Sequence, residues 1–599
     1  MRTASRSLFA LLLAVPLAAQ QPAKADAARQ ALSGFDRFVD STLAAWKVVG
    51  AGIGIVVDGQ VVYNRGHGFR NLEQRLPVTE NTLFAIGSSS KAFTVFALGT
   101  LVDQGKLDWD KPLVTYLPDF RLFDGSATMR LTPRDLVTHR SGLPRHDLVW
   151  YNNSSSTREE LVHQLAFLQP NKDLRELFQY NNLMFLTAGY LTGRLLDCSW
   201  EDAIRKLVLK PLDMSATNFS VQESQKTTDF ALGYGVRRDS TPRLPFRNID
   251  LVGPAGSINS NVTDMLKWVG MHLRAGMVDG KPVINRATLR DMYAPHMPIG
   301  GMPNDPELGP SNYGMGWFVT TYRGHYNVNH GGNIDGFSAL VSFFPQDRIG
   351  FVILTNQNGS QFPNLIVRHA MDRLLGAPLR NWSAEALARA RVSDSTARTA
   401  ERGKAMARVP NTQPSHPLAD YAADYGHPGY GTLTIELANG QLAANYHGIR
   451  AALEHWHYDV FNGLRDPVDP TFADMKFGFR GNLKGNIESV EAPFEPAVAP
   501  IVFTRRPDRQ LLDSAYLVRF TGRYLLPGDT ARVSQRGNTL VLVLPGQGAS
   551  DLVPDRRNEF TVKGREGYST EFVVDSRGVV SEARFKQPNG VLVARKVAP

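Results

Sequence analysis

The segment from Gly87 to Gly105 constrains the fold of this chain more than any other, because it predicts a helix that is buried on every side. After Ser88 and Lys91 the segment is apolar almost all round, and Gly105 provides a helix stop. Residues three apart lie on one face of a helix, so the side chains of Ser88 and Lys91 should meet. The sequence therefore predicts a core helix whose first turn places a serine beside a lysine.

This pair is a candidate nucleophile and base. A serine hydroxyl is a good nucleophile only when a base takes its proton, and a lysine is that base only when burial or nearby charge lowers its pKa. The helix N-terminus adds backbone N–H groups that favour negative charge on a bound carbonyl. Serine also caps ordinary surface helices, so the interpretation needs partners elsewhere in the chain. Lys91 is the one lysine that has a serine three residues before it.

One set of partners stands before the apolar run 183–191, at the predicted start of another helix. There, Tyr180 is a candidate to share the proton with Lys91, and Asn182 is a candidate to bind a substrate amide. The segment Tyr151-Asn152-Asn153 has the same spacing but leads into three serines, which favours a solvated loop.

A third candidate segment, His330-Gly331-Gly332, lies between two β-rich stretches, where small residues let the backbone approach a ligand. His330 would line the site opposite Ser88, and Gly332 would belong to the substrate-binding wall. The backbone N–H of Asn333 would join that of Ser88 as a donor to the oxyanion.

Composition limits the class of protein. The 599 residues are too many for one core and suggest roughly four domains by length, and the net charge of +9 is a mild bias. No Lys/Arg run with interleaved aromatics argues for nucleic acid. The single cysteine, Cys198, excludes an internal disulfide and lies in an apolar helical stretch that favours a core position.

The N-terminus predicts a secretory signal peptide over residues 1–19. Arg2 and Arg6 precede the apolar run 8–15, and small residues follow, with cleavage predicted after Ala19. No later segment is apolar enough to span a bilayer, so we expect no stable membrane insertion after signal removal. The expected location is periplasmic or extracellular.

The pattern along the chain predicts a mixed α+β fold followed by β modules. Residues 50–69 read as a hairpin turning at Asp58-Gly59, helices dominate from 83 to 300, and strands return between 326 and 355. These features predict one domain over 24–380, with an antiparallel sheet flanked by helices and an inserted helical region. A helical, Pro-containing linker over 381–416 and a repeat of Leu418–Tyr425 at Leu517–Tyr524 then predict two small antiparallel β modules, 417–507 and 513–597.

Together, Ser-x-x-Lys at 88–91, Tyr-x-Asn at 180–182 and His-x-Gly at 330–332, in that order, resemble the serine β-lactamase-like and penicillin-binding hydrolases. The resemblance is to the class C β-lactamase and S12 peptidase (D-aminopeptidase) branch, and it extends over residues 35–375, including 131–144 and 313–317. The β modules are similar to the lipocalin-like C-terminal domains of some S12 peptidases. The resemblance implies a β-lactamase/transpeptidase-like fold and acylation of Ser88 with Lys91 and Tyr180 moving protons. It also implies hydrolysis of the acyl-enzyme with no cofactor and no metal.

The expected function is therefore an exported serine hydrolase acting on amide or ester bonds of small peptides, including D-amino-acid-containing ones. A histidine at 330, where class C β-lactamases have lysine, lowers the expectation of efficient β-lactam hydrolysis. Carboxylesterase and β-lactamase activity stay open for the same site, and a catalytically silent cell-envelope binding protein is the alternative from another class. Gly-x-Ser-x-Gly and His-Glu-x-x-His are absent from the sequence. The β modules offer a route to an oligomer.

Overall fold

The structure is a computed structural model that describes residues 20–236, 240–404, 408–466 and 469–597. Two compact units divide the chain: Met1–Ala407 with Phe494–Ala499, and Arg408–Pro493 with Pro500–Pro599. The predicted signal peptide lies outside the described residues. No helix among the described residues is long and apolar enough to cross a membrane.

Helices make up much of the first unit. In chain order they are α1 (Gln20–Ala31), α2 (Phe35–Trp46), α3 (Lys91–Asp103), α4 (Gly125–Arg130), α5 (Pro133–Leu136), α6 (Arg158–Gln164), α7 (Asn182–Leu196), α8 (Trp200–Ile204), α9 (Val221–Ser224), α10 (Gly253–Gly256), α11 (Val262–Leu273), α12 (Arg286–Met292), α13 (Phe362–Leu374) and α14 (Trp382–Lys404).

The strands of the first unit are β1 (Gly50–Val57), β2 (Gln60–Asn71), β3 (Leu76–Pro77), β4 (Phe84–Ala85), β5 (Asn259–Ser260), β6 (Met277–Val278), β7 (Lys281–Pro282), β8 (Met297–Pro298), β9 (Asn312–Tyr313), β10 (Phe318–Tyr322), β11 (His325–Ile334), β12 (Phe337–Phe344) and β13 (Ile349–Thr355). Within the described part of this unit, nine of them form one antiparallel sheet in the order β3-β2-β1-β13-β12-β11-β10-β9-β8. Because β1 pairs with β13, the two ends of the domain close the sheet, as the sequence predicts.

The two faces of this sheet are covered by different helices. On one face, Ile53, Ile55 and Ile353 share an apolar core with side chains of α1, α2 and α13. On the other face, β1 has glycines whose lack of a side chain leaves room for α11. A Cβ on Gly54 would lie 2.6 Å from Val262 Cγ1 of α11. The glycines of β1 thus permit close helix packing.

One sequence prediction in this unit needs correction. Cys198 is exposed, because it lies in the short connection between α7 and α8 rather than inside a helix. The predicted linker over 381–416 begins with α14, whose first residue, Trp382, is buried in the apolar core with Arg380 stacked over its ring.

The second unit contains two barrels and two short helices, α15 (Leu418–Tyr421) and α16 (Ser514–Leu517). Strands β14 (Ala423–His427), β15 (Gly431–Ala438), β16 (Gln441–Tyr446), β17 (Ile449–His457), β18 (Val460–Gly463), β19 (Lys476–Gly481), β20 (Ile487–Ala492) and β21 (Ile501–Arg505) close the first barrel. Strands β22 (Gly522–Leu526), β23 (Asp529–Arg536), β24 (Thr539–Val543), β25 (Ser550–Pro554), β26 (Glu559–Val562), β27 (Ser569–Val574), β28 (Val580–Gln587) and β29 (Gly590–Lys596) close the second. The mixed fold with two C-terminal antiparallel modules is confirmed.

Candidate active site

Ser88 and Lys91 meet at the start of the buried helix. Ser88 lies in a 3-10 turn, Gly87–Ser90, that leads directly into α3 at Lys91. The tighter turn still brings positions three apart together, and Lys91 Nζ lies 3.0 Å from Ser88 Oγ. Every residue of α3 from Lys91 to Leu101 is buried, so the lysine enters the core with its helix.

The burial of Lys91 favours a neutral amine. Its Nζ donates to Asn182 Oδ1 and to the backbone oxygen of Ala255, both at 2.8 Å, and these oxygens only accept. A neutral amine has two N–H groups and one lone pair, so the lone pair is left for the Ser88 hydroxyl proton. Burial, reinforced by the charge of Arg145 and opposed by Asp147, holds the pKa of Lys91 well below its usual value.

Tyr180 lies beside this pair, held by the start of α7. The neighbouring Asn181 caps α7, because its Oδ1 accepts the N–H of Met184 at 2.9 Å. Lys91 Nζ stands 4.8 Å from the centre of the Tyr180 ring. Burial raises the pKa of Tyr180, while a hydrogen bond with Ser88 and the charge of Arg145 oppose the rise. Next to a neutral lysine, the phenol therefore keeps its proton.

His330 is buried beside the same group and is neutral. Its Nδ1 donates to the backbone oxygen of Gly331 at 2.6 Å, so its Nε2 accepts the Tyr313 hydroxyl at 3.0 Å. Burial, with a smaller contribution from Lys91, lowers the pKa of His330 to about 3. His330 thus lies near Tyr180 and Lys91, and it offers no fixed positive charge to a substrate.

Strand β11 and the Ser88 turn are in backbone contact. A Cβ on Gly332 would lie 1.9 Å from the Ile86 oxygen and 3.0 Å from the Ser88 nitrogen. A Cβ on Gly87 would lie 3.0 Å from the Asn333 nitrogen. The backbone nitrogens of Ser88 and Asn333, predicted as oxyanion donors, therefore belong to two segments that only glycine allows to approach so closely.

Asn182 is held at both ends of its side-chain amide. Its Oδ1 accepts from Lys91, and its Nδ2 donates to Asp147 Oδ1 at 3.0 Å. Asp147 also accepts from Trp150 Nε1 at 2.8 Å and from Arg145 Nε at 2.5 Å. In this arrangement the amide orients Lys91, and binding of a substrate amide by Asn182 stays a prediction.

Sequence reasoning missed several residues that support the site. Arg145 and Asp147 directly follow the motif 131–144, and Tyr313 opens the motif 313–317, so the resemblance pointed at their neighbourhood. His139, inside the first of these motifs, is buried and accepts the N–H of Asn181 at its Nδ1 at 3.0 Å. Through their contacts, these side chains hold Tyr180, Asn182 and His330 in place.

A further supporting residue comes from far along the chain. Glu495 is 6% exposed, belongs to the first unit, and accepts the backbone N–H of His146 at 2.7 Å. Asn171 Nδ2 donates to the Ala497 oxygen at 3.2 Å in the same unit. Because Glu495 and His146 are separated by 349 in sequence, no local pattern predicted this contact.

The segment predicted as a solvated loop, Tyr151-Asn152-Asn153, is not one. Tyr151 is half-buried and its hydroxyl donates to Asp335 Oδ1 at 2.9 Å, just beyond β11. Arg247 Nη1 donates to Asn152 Oδ1 at 3.0 Å, and Asn153 is buried. The segment ties the inserted helical region to the end of β11, whereas Tyr180 is the tyrosine that packs on Lys91.

Two family models and several known proteins match parts of this chain. Residues 35–375 match the family model described as Beta-lactamase, and residues 407–505 match a domain of unknown function, DUF3471. The chain is 30% identical over 422 residues to the unguisins hydrolase ungD' of Aspergillus campestris, which covers 67% of this chain and 77% of that protein. The unguisins hydrolase ungD of Aspergillus violaceofuscus is 29% identical over 442 residues, covering 68% and 78%.

Among solved structures, the octameric penicillin-binding protein homologue from Pyrococcus abyssi superposes with a TM-score of 0.51 at 22% identity. The superposition covers 79% of this chain and 99% of that one. At this identity the likeness concerns the fold alone.

Proposed function

The chain belongs to the β-lactamase family and is a serine hydrolase, and from this premise we propose that it cleaves amide or ester bonds of small peptides through a Ser88 acyl-enzyme. The observation that carries the proposal is the environment of Lys91. Its two N–H groups are taken by carbonyl oxygens, and its nitrogen lies 3.0 Å from Ser88 Oγ. A silent binding protein has no need for a base held neutral against a serine.

Acylation begins when Ser88 Oγ bonds to the substrate carbonyl carbon and its proton passes to Lys91 Nζ. The carbonyl electron pair moves onto the oxygen, which accepts from the backbone N–H groups of Ser88 and Asn333. As this intermediate collapses, the bond to the leaving amine or alcohol breaks. The leaving group takes a proton from Tyr180, and Lys91 returns one to the tyrosine. Water then releases the acyl group from Ser88 by the same proton transfers.

Peptides and esters are the favoured substrates. A neutral, buried His330 supplies no cation for the carboxylate of a β-lactam. The similarity to a hydrolase named for unguisins supports a substrate other than a β-lactam. Carboxylesterase and β-lactamase activities are the alternatives for the same site.

Export is part of the same proposal and rests on the charged and apolar pattern of residues 2–19. Mass spectrometry of the N-terminus after cell fractionation tests it, and an intact Met1 in the cytoplasm would contradict it. Assembly through the barrels is supported by Val591, Leu592 and Val593, which are 53%, 44% and 50% exposed in succession. Light scattering of the full chain would refute assembly if it gave only the monomer mass.

Covalent labelling tests the Ser88 mechanism. A phosphonate probe for active-site serines should label the wild type and the Ser41→Ala variant, whose serine lies exposed on α2. Ser88→Ala should stay unlabelled. The absence of an adduct on the wild type, or equal labelling of Ser88→Ala, would favour the silent binding protein.

A substrate screen tests the specificity. D-amino-acid amides, short D- and L-peptides, p-nitrophenyl esters and nitrocefin would be compared by kcat/KM. We expect esters and peptides to exceed nitrocefin. Dominant nitrocefin turnover would overturn the interpretation of His330.

A further inference from the structure

The first unit contains a cavity of about 600 Å³ between the loop 299–311, strands β10 to β12 and helix α13. Ser88, Lys91, Tyr180 and His330 are not among the described residues that line it, although Phe318 of the lining packs against the His330 ring at 5.2 Å. Side chains alternate along a strand, so Asn327 and Asn329 of β11 face this cavity and His330 faces Lys91. The cavity therefore lies on the sheet face away from the catalytic pair.

Polar side chains cover this part of a sheet face that is otherwise apolar. On the same face, Leu340 and Phe351 belong to the apolar core. Here Asn327 Nδ2 donates to Ser342 Oγ at 2.7 Å, and Asn329 Nδ2 donates to Asn327 Oδ1 at 2.8 Å. Burying such groups costs free energy unless they are hydrogen-bonded. Because its oxygen accepts from Asn327, the Ser342 hydroxyl still has a proton to donate, and Ser342 lines the cavity.

Arg368 of α13 supplies a positive charge in the cavity wall. Among the described residues, no carboxylate lies within 4.0 Å of its guanidinium, which stands 4.8 Å from the ring centre of Trp382. The neighbouring Arg380, by contrast, is paired with Asp305 at 2.8 Å and Glu385 at 2.6 Å. Burial lowers the pKa of Arg368, and the more distant Asp305 and the Tyr322 phenol oppose this shift without forming an ion pair with the guanidinium.

We propose that this cavity binds a small molecule with one carboxylate on an apolar body, and that Arg368 pairs with the carboxylate. A guanidinium matches a carboxylate through two parallel N–H bonds, and one cation suits one negative charge. Phe318, Leu340 and Phe344 supply an apolar wall, while Ser342 and the asparagines supply polar contacts. The volume is that of an ordinary small-molecule site and holds an amino-acid derivative. This proposal does not rest on the reaction proposed at Ser88.

Calorimetric titration of the full chain tests the proposal with N-acetylphenylalanine as the probe and N-acetylphenylalaninamide as its uncharged match. The wild type should bind the acid saturably and the amide at least about 10-fold more weakly. Arg368→Gln should weaken binding of the acid by a similar factor. Arg391→Gln, on the exposed side of α14, should bind as the wild type does.

A second variant keeps the test valid if Arg368→Gln fails to fold. Asn364 is exposed in the first turn of α13 and lines the cavity, so Asn364→Asp adds a negative charge where a helix tolerates one. It should weaken binding of the acid and leave the weak binding of the amide unchanged. No saturable binding of the acid, equal binding of acid and amide, or unchanged binding by both variants would overturn the proposal. Inorganic phosphate that competes as tightly as the acid would overturn the carboxylate assignment.

Discussion

Lys91 shows how the fold prepares a base. A lysine in water is protonated and has no lone pair to accept another proton, so the fold must disfavour the charged form. Burial at the first turn of α3 does this, and the oxygens of Asn182 and Ala255 hold the nitrogen beside Ser88. The pKa of Tyr180 is shifted the opposite way, so its phenol stays protonated. Two groups of ordinarily similar pKa are thus separated into a base and an acid.

The pH dependence of kcat/KM should follow from this separation. Lys91 must be neutral to accept the Ser88 proton, so activity should rise with pH through its lowered pKa and then stay level. Tyr180 must keep its proton, and its raised pKa moves the alkaline fall above the usual tyrosine range. With the pKa of His330 at about 3, no histidine limb is expected near pH 6.5.

The measurement is kcat/KM for one uncharged ester between pH 4 and 11. Lys91→Ala should remove the rising limb together with at least about 100-fold of the activity, because the base is lost. A limb near pH 6.5 that disappears in His330→Gln would show that His330 titrates during catalysis, contrary to this expectation.

At the scale of elements, strand β11 brings the backbone of Gly332 and Asn333 against the turn that contains Ser88. Its half from His325 pairs with β10, while Gly332 and Asn333 lie beyond that pairing and contact the Ser88 turn. The same strand presents Asn327 and Asn329 to the cavity on its other face. A small displacement of β11 would therefore affect both the Ser88 site and the cavity.

Gly332→Ala should be strongly harmful. The added methyl would stand 1.9 Å from the Ile86 oxygen, so β11 or the Ser88 turn must move. A displacement of this size typically costs about 100-fold in rate. Gly331→Ala is the matched control, since its methyl meets only the Ala339 oxygen, at 3.4 Å. We expect Gly331→Ala to keep kcat within about threefold. Similar losses in both variants, measured with folded protein, would contradict the close approach at Gly332.

Local pattern predicted several elements well. The apolar run 183–191 lies within α7, and the predicted β-rich region between 326 and 355 contains β12 and β13. The structure also brings together Ser88, Lys91, Tyr180 and His330, which the sequence singled out because each stands at the border of a strongly patterned element. The sequence did not show that Ser88 lies in a 3-10 turn, since that choice depends on the contact with β11. Nor did it find Tyr313 or Asp147, whose contacts join segments distant in sequence.

Glu495 also joins segments that are distant in sequence, and removing its side chain should weaken catalysis. Its carboxylate fixes the backbone at His146, between Arg145 and Asp147, which bear on the pKa of Lys91. Glu495→Ala leaves a buried N–H without its acceptor, at a cost of about 1–3 kcal/mol. We expect lower kcat/KM and a shifted acid limb. Glu495→Gln keeps an acceptor oxygen and should restore most of both.

Thermal unfolding and the kcat/KM profile against pH separate the two effects. A fall in melting temperature with an unmoved acid limb would make Glu495 a stabilising residue only. Unchanged behaviour of Glu495→Ala in both measurements would refute the contact.

At the scale of the whole molecule, the chain repeats one barrel twice. Tyr425 donates its hydroxyl to the Tyr421 oxygen at 2.8 Å, and Tyr524 donates to the Phe520 oxygen at 2.7 Å. These residues are the repeat that the sequence showed at 418–425 and 517–524. The segment Phe494–Ala499, between β20 and β21 of the first barrel, belongs to the first unit. The described residues of the second barrel all belong to the second unit.

Two truncations should separate the barrels by function. A chain ending at Pro507 keeps Glu495 and loses β22 to β29, so we expect its kcat/KM to stay within about threefold of the full chain. A chain ending at His416 loses Glu495 and should fall at least as far as Glu495→Ala, because the backbone at His146 is no longer held. The measurements are kcat/KM on one ester, circular dichroism and mass by light scattering. Equal activity of both shortened chains would show that neither barrel serves the site, and a lower mass only after loss of the second barrel would assign assembly to it.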